Sequence, residues 1–292
     1  MSTATPTVAP ESQLAYEARV RSRMAGLAVV GGVLLVVAAA LQLGGPHTAV
    51  DELTTDLIVA NRRYPLDLIA SIINGIASLS IAAALAYLWR CSNARNRDVR
   101  GYIRAIAVAG GILSGVTGII YAIVVAGKVH TFVTTGAQTY EEANHLTSSG
   151  ILVVMQLIGQ AGALLLAVGV ALVSLNAMRQ GLLTRFMGYL GVFAGVLVLF
   201  QITQIPIVQG YWFAALGYLF SGRWPSGLPP AWTTGRAEPW PPSAELRARR
   251  GVAAGRGRGR GPAPEPVAAE GPPADATRTR GATSKRKRKR RN

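Results

Sequence analysis

Six apolar stretches mark the chain before residue 221, at residues 24–43, 68–89, 103–126, 151–175, 186–202 and 205–220. Their apolar residues run on without the period-two alternation that a membrane-barrel strand needs over about ten residues, so the pattern predicts helices. The first four reach the roughly 20 residues that cross a hydrocarbon core of about 30 Å, and apart from Arg104 at the very start of the third they contain no charged side chain. The last two share a short length of chain and must turn tightly at residues 201–206, where polar residues and Pro206 suit a helix end. They read as two short spans; one span followed by a helix lying in the interface is the alternative. The first stretch follows Arg19, Arg21 and Arg23 as a signal peptide would. Its length of about 20 residues exceeds the 7–15 of a signal core, so a retained helix is expected.

Polar residues within these stretches fall on helical faces. In the second stretch Asp67, Ser71, Asn74 and Ser78 follow steps of four, three and four, and in the third Gly110, Ser114, Thr117 and Tyr121 repeat them. Gln156 and Gln160 share a face of the fourth. Steps of three and four put each set on one side of its helix. Such stripes serve either as interhelical hydrogen bonds or as the wall of a polar cavity that admits a small solute. Intramembrane ionisable residues would mark an ion or proton path; the spans carry none away from their ends. Gly111-x3-Gly115 and Gly191-x3-Gly195 fit the spacing for close helix approach and supply faces on which a homo-oligomer is conceivable.

Composition agrees with a membrane-embedded chain. Of 292 residues 50% are apolar and 15% charged, well below the charged quarter of a typical soluble domain, and the mean hydropathy is +0.31. A single cysteine, Cys91, excludes an intramolecular disulfide, and a plain small residue is its expected role.

Charge sets the expected orientation. Net charge is +16, with 30 Lys and Arg against 14 Asp and Glu. With the N-terminus inside, 27 basic residues fall on inner segments, and only Arg62, Arg63 and Lys128 on outer loops. Basic residues near helix ends favour the cytoplasmic side. Both termini are therefore expected in the cytoplasm of a cell with an inner (plasma) membrane, which requires an even number of spans.

The outer side gathers Asp67, Lys128, His130, Glu141, Glu142 and His145. An Asp67–Lys128 salt bridge is one expectation. If the stretch from Tyr140 is helical, Glu141 or Glu142 shares a face with His145, an arrangement that can bind zinc or raise a histidine pKa. A capped, solvated loop is the plainer alternative. No HExxH pair, GxSxG elbow or Walker sequence is present, so no catalytic residue, cofactor site or metal site is assigned.

From residue 221 the chain becomes rich in Pro, Gly, Ala and Arg, too poor in aliphatic residues to offset its ordering entropy, and a disordered tail is expected. Trp224, Trp232 and Trp240 recur every eight residues within it. They read either as an anchor at the headgroup level or as side chains packed under the cytoplasmic loops. The tail ends in Lys285, Arg286, Lys287, Arg288, Lys289, Arg290 and Arg291. Each such charge near an anionic leaflet is worth about 1 kcal/mol, so anionic lipid is the leading partner. A cytoplasmic protein, nucleic acid or the ribosome is the alternative.

Two stretches, Asn176-Ala-Met-Arg-Gln-Gly-Leu-Leu-Thr-Arg-Phe-Met-Gly-Tyr-Leu-Gly191 and GRWPSGLPPAWTTGRAEPW from Gly222 to Trp240, resemble uncharacterised multi-pass membrane proteins of actinobacteria. The resemblance implies a bacterial inner-membrane location and about six helices, and it brings no activity, ligand or catalytic residue. The expected object is an all-α integral membrane protein. It has an N-terminal segment (1–23), a domain of about six transmembrane helices (24–220) and a disordered basic tail (221–292). The expected function is non-enzymatic, with the tail engaging lipid or a cytoplasmic partner. The alternative is a small-solute transporter or channel built on the polar faces of the second to fourth helices.

Overall fold

The four longest apolar stretches form the four longest helices: α1 (Pro10–Leu43), α3 (Leu66–Arg95), α4 (Gly101–Thr134) and α6 (Gly150–Arg179). Between and after them lie α2 (Leu53–Arg62), α5 (Tyr140–Thr147), α7 (Arg185–Phe200), α8 (Ile207–Phe220) and α9 (Pro230–Thr234). The computed structural model describes residues 10–43, 53–96, 99–200, 206–225 and 227–238; among them there is no strand. Four helices are long and apolar enough to cross a membrane, while α7 and α8 are shorter apolar helices. At 1.5 Å per residue, the 16 and 14 residues of α7 and α8 extend about 24 and 21 Å. Large aliphatic side chains cover the outside of the bundle, among them Val33, Ile76, Ile123 and Leu157, which are 47–59% exposed or close to it at 50%, 47%, 53% and 59%. A soluble monomer rarely presents so much contiguous apolar surface.

Local chemistry ends these helices. After α6 the chain turns at Gly181, whose φ of 75° suits a residue without a Cβ, and the Leu182 amide donates back to the Ala177 carbonyl at 2.9 Å. That is a Schellman-type stop. At α5 the Thr139 hydroxyl accepts from the Glu142 amide at 3.3 Å, as an N-cap does.

The six apolar helices close into a ring: α1 packs on α3, α3 on α4, α4 on α6, α6 on α7, α7 on α8, and α8 back on α1. Small residues set the register. A Cβ added at Gly75 or at Gly115 would lie 2.9 Å from the other residue's carbonyl oxygen, and one at Gly162 would lie 2.5 Å from the Ser114 amide nitrogen. Gly75, Gly115 and Gly162 thus share one level of α3, α4 and α6. Gly195 of α7 lies against Ala167, and Gly32 of α1 against Gly210 of α8. The Gly111-x3-Gly115 and Gly191-x3-Gly195 faces are therefore filled from within the chain. A second copy cannot use them without displacing those neighbours.

From this register α7 ends about level with Gly162, since Phe200 lies five residues past Gly195. α8 begins three residues before Gly210 and runs antiparallel to α1, with Gly217 against Ala25. The last two helices thus make a hairpin that reaches only part of the bundle's length. Past Gly115, α4 continues about 28 Å to Thr134. α8 packs lengthwise along α1.

The end of the bundle where α3 meets α4 and α6 meets α7 is termed proximal; α2 and α5 lie at the distal end. The start of α1 and the chain after α8 are both proximal. They are held there by Arg95, the last residue of α3, whose side chain is fully buried. Its Nη1 and Nη2 donate to the two oxygens of Glu17 at 2.6 and 2.8 Å. Nε and Nη2 donate to the Ala231 carbonyl at 3.0 and 2.8 Å, and Nη1 to the Cys91 carbonyl at 2.8 Å. A guanidinium has five N–H donors, and all five are used. Gln13 donates to Glu17 Oε1 at 2.8 Å as well.

Against this ion pair pack Trp232, Tyr87 and Phe220, with ring centroids 5.2–6.2 Å apart. Trp232 also donates its indole N–H to the Leu182 carbonyl at 2.9 Å. Of the tail, for most of which disorder is expected, residues 227–238 are ordered. Leu228, Ala231 and Trp232 pack into or against the core, because aromatic and proline residues bury enough area to order even a Gly-rich segment. Of the two readings of the tryptophans, packing under the connections holds for Trp232, while Trp224 lies half-buried beside Tyr218, 6.2 Å between centroids. Trp240 and residues 285–291 lie outside the described residues.

Removing one partner of a buried pair leaves the other charge unpaired, which costs about 3–5 kcal/mol. Arg95→Ala is expected to destabilise the protein by about that much in chemical unfolding in detergent micelles. It should also expose Cys91, which is fully buried in the native chain, to N-ethylmaleimide. Arg90→Ala, which removes an exposed guanidinium 4.0 Å over Tyr16, should leave Cys91 protected.

Candidate functional site

The polar stripes meet inside the bundle. One pocket of about 270 Å³ is lined by Asn74 from α3, by Ser114, Thr117 and Tyr121 from α4, and by Gln156 and Gln160 from α6. A second cavity of about 180 Å³ shares Asn74 and Ser114 with it and continues inward past Ser78 to Gln209 and Phe213 of α8. A third, also about 180 Å³, shares Tyr121 and extends distally along Ser71 and Asp67. A fourth, of about 320 Å³, adjoins it through Asn61 and Tyr64 and reaches His130. All eight residues of the expected polar face therefore line one series of adjoining spaces. The short α7–α8 hairpin leaves room for it between the longer helices.

Two of the eight are satisfied within their own helix. Ser71 donates to the Asp67 carbonyl at 2.8 Å and Ser78 to the Asn74 carbonyl at 3.0 Å. Among the described residues, the other six side chains make no hydrogen bond to protein. Interhelical hydrogen bonding, one of the two expected uses of these stripes, is thus not how they are arranged. Close packing of α3, α4 and α6 comes from Gly75, Gly110, Gly115 and Gly162, and the polar side chains are turned to open space.

The series is blind at its inner end. Ile81, Val170 and Phe213 line the bottom of the inner cavity. Beneath them Leu85, Leu88, Val173, Trp212, Leu216 and Phe220 are buried in one continuous cluster. Trp212 is fixed there by donating to the Met187 carbonyl at 2.8 Å. No ionisable side chain lines the inner cavity, and Tyr121 alone, a phenol, lines the pocket beside it.

Compared with known families, curated proteins and solved structures, the chain finds no match. What the site does must be read from its own chemistry.

The outer cluster is resolved differently from expectation. Asp67 pairs with Arg63, 2.9 Å from Nη2 to Oδ1 and 3.0 Å from Nε. Lys128 donates to the Ser149 hydroxyl at 2.8 Å. The expected Asp67–Lys128 bridge is thus corrected: Arg63, four residues before Asp67, reaches it from the same side of the chain and also donates to the Gln42 carbonyl. The stretch from Tyr140 is helical as supposed. Glu142 accepts from the Gln138 amide at 3.0 Å and so serves the helix start, while Glu141 and His145 are exposed. No ion pair or hydrogen bond joins either acid to His145 among the described residues, and no group of three or more potential metal ligands occurs among them.

Two features escaped the sequence reading. In sequence Arg95 is one more inner-loop charge, and Glu17, like Glu11, is an acid ahead of the first apolar run with nothing to mark its partner. Gln209 is the only amide side chain in α8; it is 4% exposed, and its Oε1 has no hydrogen-bond partner.

This geometry makes thiol access diagnostic. In a Cys91→Ala background, Gln160→Cys and Asn74→Cys should react with a small water-soluble methanethiosulfonate. Ser92→Cys, at a fully buried proximal position, should stay unlabelled.

Proposed function

We propose that the chain is an integral membrane protein whose bundle takes up a small, uncharged, polar solute from the extracytoplasmic side. In this reading α1, α3, α4 and α6 span the inner membrane, and α7 and α8 complete six membrane-embedded segments as a short hairpin. The proximal end faces the cytoplasm. Support for that orientation comes from Arg19, Arg21, Arg23, Arg90, Arg100, Arg104, Arg179 and Arg185, all on proximal segments, together with the preference of such charges for the cytoplasmic side. Resemblance to uncharacterised actinobacterial multi-pass proteins belongs to the same proposal.

The observation that carries it is the set of six unpaired polar side chains, drawn from three helices, around one pocket that leads to a blind cavity. Asn74, Ser114, Thr117 and Tyr121 are half-buried while Gln156 and Gln160 are exposed at the mouth, so all six can bond an entering solute, and polar residues at membrane depth commonly line a substrate path. Without an ionisable group in the inner cavity, the occupant is neutral. With a sealed proximal half, the conformation is that of a binder or of a carrier open to the distal side, and not of an open channel. The role is non-enzymatic.

A second reading rests on a different observation. The Glu238 amide donates to the Gln180 carbonyl at 3.3 Å, and with Trp232 this pins residue 238 to the proximal end. The basic run at residues 285–291 follows residue 238 in the sequence. On the proposed orientation it meets the anionic cytoplasmic leaflet of its own membrane, where surface charges act within about 8 Å.

Each reading has its own experiment. In proteoliposomes, Asn74→Leu and Gln156→Leu should each lower solute binding by about fivefold, the worth of one hydrogen bond, with unchanged monodispersity. Equal binding by the variants and the parent would reject the pocket. For the tail, protein in nanodiscs should capture vesicles containing phosphatidylglycerol, and truncation after Ser243 or addition of 1 M salt should abolish capture. Capture that survives truncation rejects lipid association through the tail, and RNA competing for the tail more strongly than lipid favours a nucleic-acid partner.

A further inference from the structure

The inner cavity differs from the pocket above it in one respect: it holds a buried acceptor with nothing to accept from. Gln209 stands in the first turn of α8 and is 4% exposed, and its Oε1 is the one buried side-chain oxygen or nitrogen among the described residues without a partner. Solvating such an atom with protein would require only a nearby hydroxyl. Ser78 lines the same cavity, but its proton is committed to the Asn74 carbonyl at 3.0 Å. It therefore offers lone pairs only. Asn74 and Ser114 complete the polar wall, and an amide can donate and accept. The remaining wall is apolar, with Leu35 and Phe213 from the neighbouring helices α1 and α8. Two fixed acceptors, one two-way amide and one hydroxyl face a space that otherwise favours carbon.

We infer that the inner cavity is the selectivity site for a small neutral solute that donates hydrogen bonds through an amide or hydroxyl group, with Gln209 Oε1 accepting from it. This inference rests on the solute-binding reading and specifies its chemistry. The volume of about 180 Å³ admits a solute of a few heavy atoms, such as a primary amide, urea or short polyol. A bare cation is a poor fit, because hard cations take six or more oxygen ligands and commonly a carboxylate. An acceptor-only molecule is a poorer fit: it can take N–H or O–H groups from Asn74, Ser114 or the Gln209 amide, but it leaves the Gln209 and Ser78 oxygens without a donor. Discrimination of this kind is strong where a site leaves a buried polar group unpaired without the right partner.

Acetamide and acetone make a matched pair of probes, alike in shape and differing in the N–H donors. Saturation-transfer NMR on their methyl protons, with the full chain in nanodiscs of deuterated lipid, reads weak binding directly. Wild type is expected to give a saturable acetamide signal and an acetone signal at least fivefold weaker. Gln209→Met, which keeps the volume and removes the amide, should weaken acetamide binding about fivefold to tenfold. The same variant should melt at a higher temperature when empty, because a buried unsatisfied group has been deleted. A rise in melting temperature also shows that the variant folds. Equal acetamide signals from wild type and Gln209→Met would overturn the role of Gln209 while leaving the pocket intact, and equal acetone and acetamide signals would overturn donor selection. Absence of any saturable signal for acetamide, urea or glycerol in wild type would overturn both this inference and the solute-binding reading.

Discussion

A guanidinium shut away from water is tolerable only when every one of its N–H groups has an acceptor. Arg95 meets that condition by drawing on three places in the chain: a carboxylate from α1, its own helix's Cys91 carbonyl, and the Ala231 carbonyl of α9, where the Trp232 ring lies 5.4 Å from its Cζ. Each contributor is separately weak as a structural element. Before its apolar run, α1 is a polar helix that could lie anywhere on the bundle end. The stretch after α8 has little aliphatic content. Assembled around one charge they fix one another, and the aromatic cluster of Tyr87, Phe220 and Trp232 fills what remains. A buried ion pair contributes less to stability than to specifying one arrangement over others, and here the arrangement specified is the closure of the ring between its first and last members.

Above that closed end, spacing between helices is governed by glycine and alanine, and the cavities follow from where this spacing is not matched by length. Helices α3, α4 and α6 approach to backbone contact at Gly75, Gly115 and Gly162, while α7 and α8 stop near that level. A shallow hairpin beside long helices leaves polar side chains of the long helices without a neighbour. The cavity series is thus a product of unequal helix lengths, and its sealed base is a product of the proximal aromatic packing. One half of the molecule supplies rigidity and the other supplies open space.

Much of this was legible from the pattern of residues. Continuous apolar runs identified the four long helices and the two shorter ones, because hydrophobic length is a property of consecutive residues. Steps of three and four assembled Ser71, Asn74, Ser78, Ser114, Thr117, Tyr121, Gln156 and Gln160 in advance, since helical periodicity alone decides which of them share a face. Failures came where distance in sequence hides proximity in space. Glu17 and Arg95 are 78 positions apart, and Ala231 lies 136 beyond Arg95; nothing local signals that they meet. Asp67 was assigned to Lys128 by level in the membrane, whereas a closer arginine one helical turn away captures it. Trp232 sits in a composition that argues for disorder, and only its partners reveal the pocket that orders it. Gln209 was passed over because a single amide in an apolar run carries no periodicity.

The bond from Arg95 to a main-chain oxygen of residue 231 has a consequence for biogenesis. A ribosome makes the chain from its N-terminus, so α1 and α3 leave the exit tunnel long before α9 exists. During that interval the guanidinium has Glu17 and the Cys91 carbonyl at hand but lacks its other acceptor, and water must stand in. The nascent bundle is consequently hydrated at its base until translation has passed residue 231, and arrival of that short helix expels the water. Maturation is thereby timed by the polypeptide itself: the last of the described helices to be synthesised is the one that completes the acceptors of Arg95.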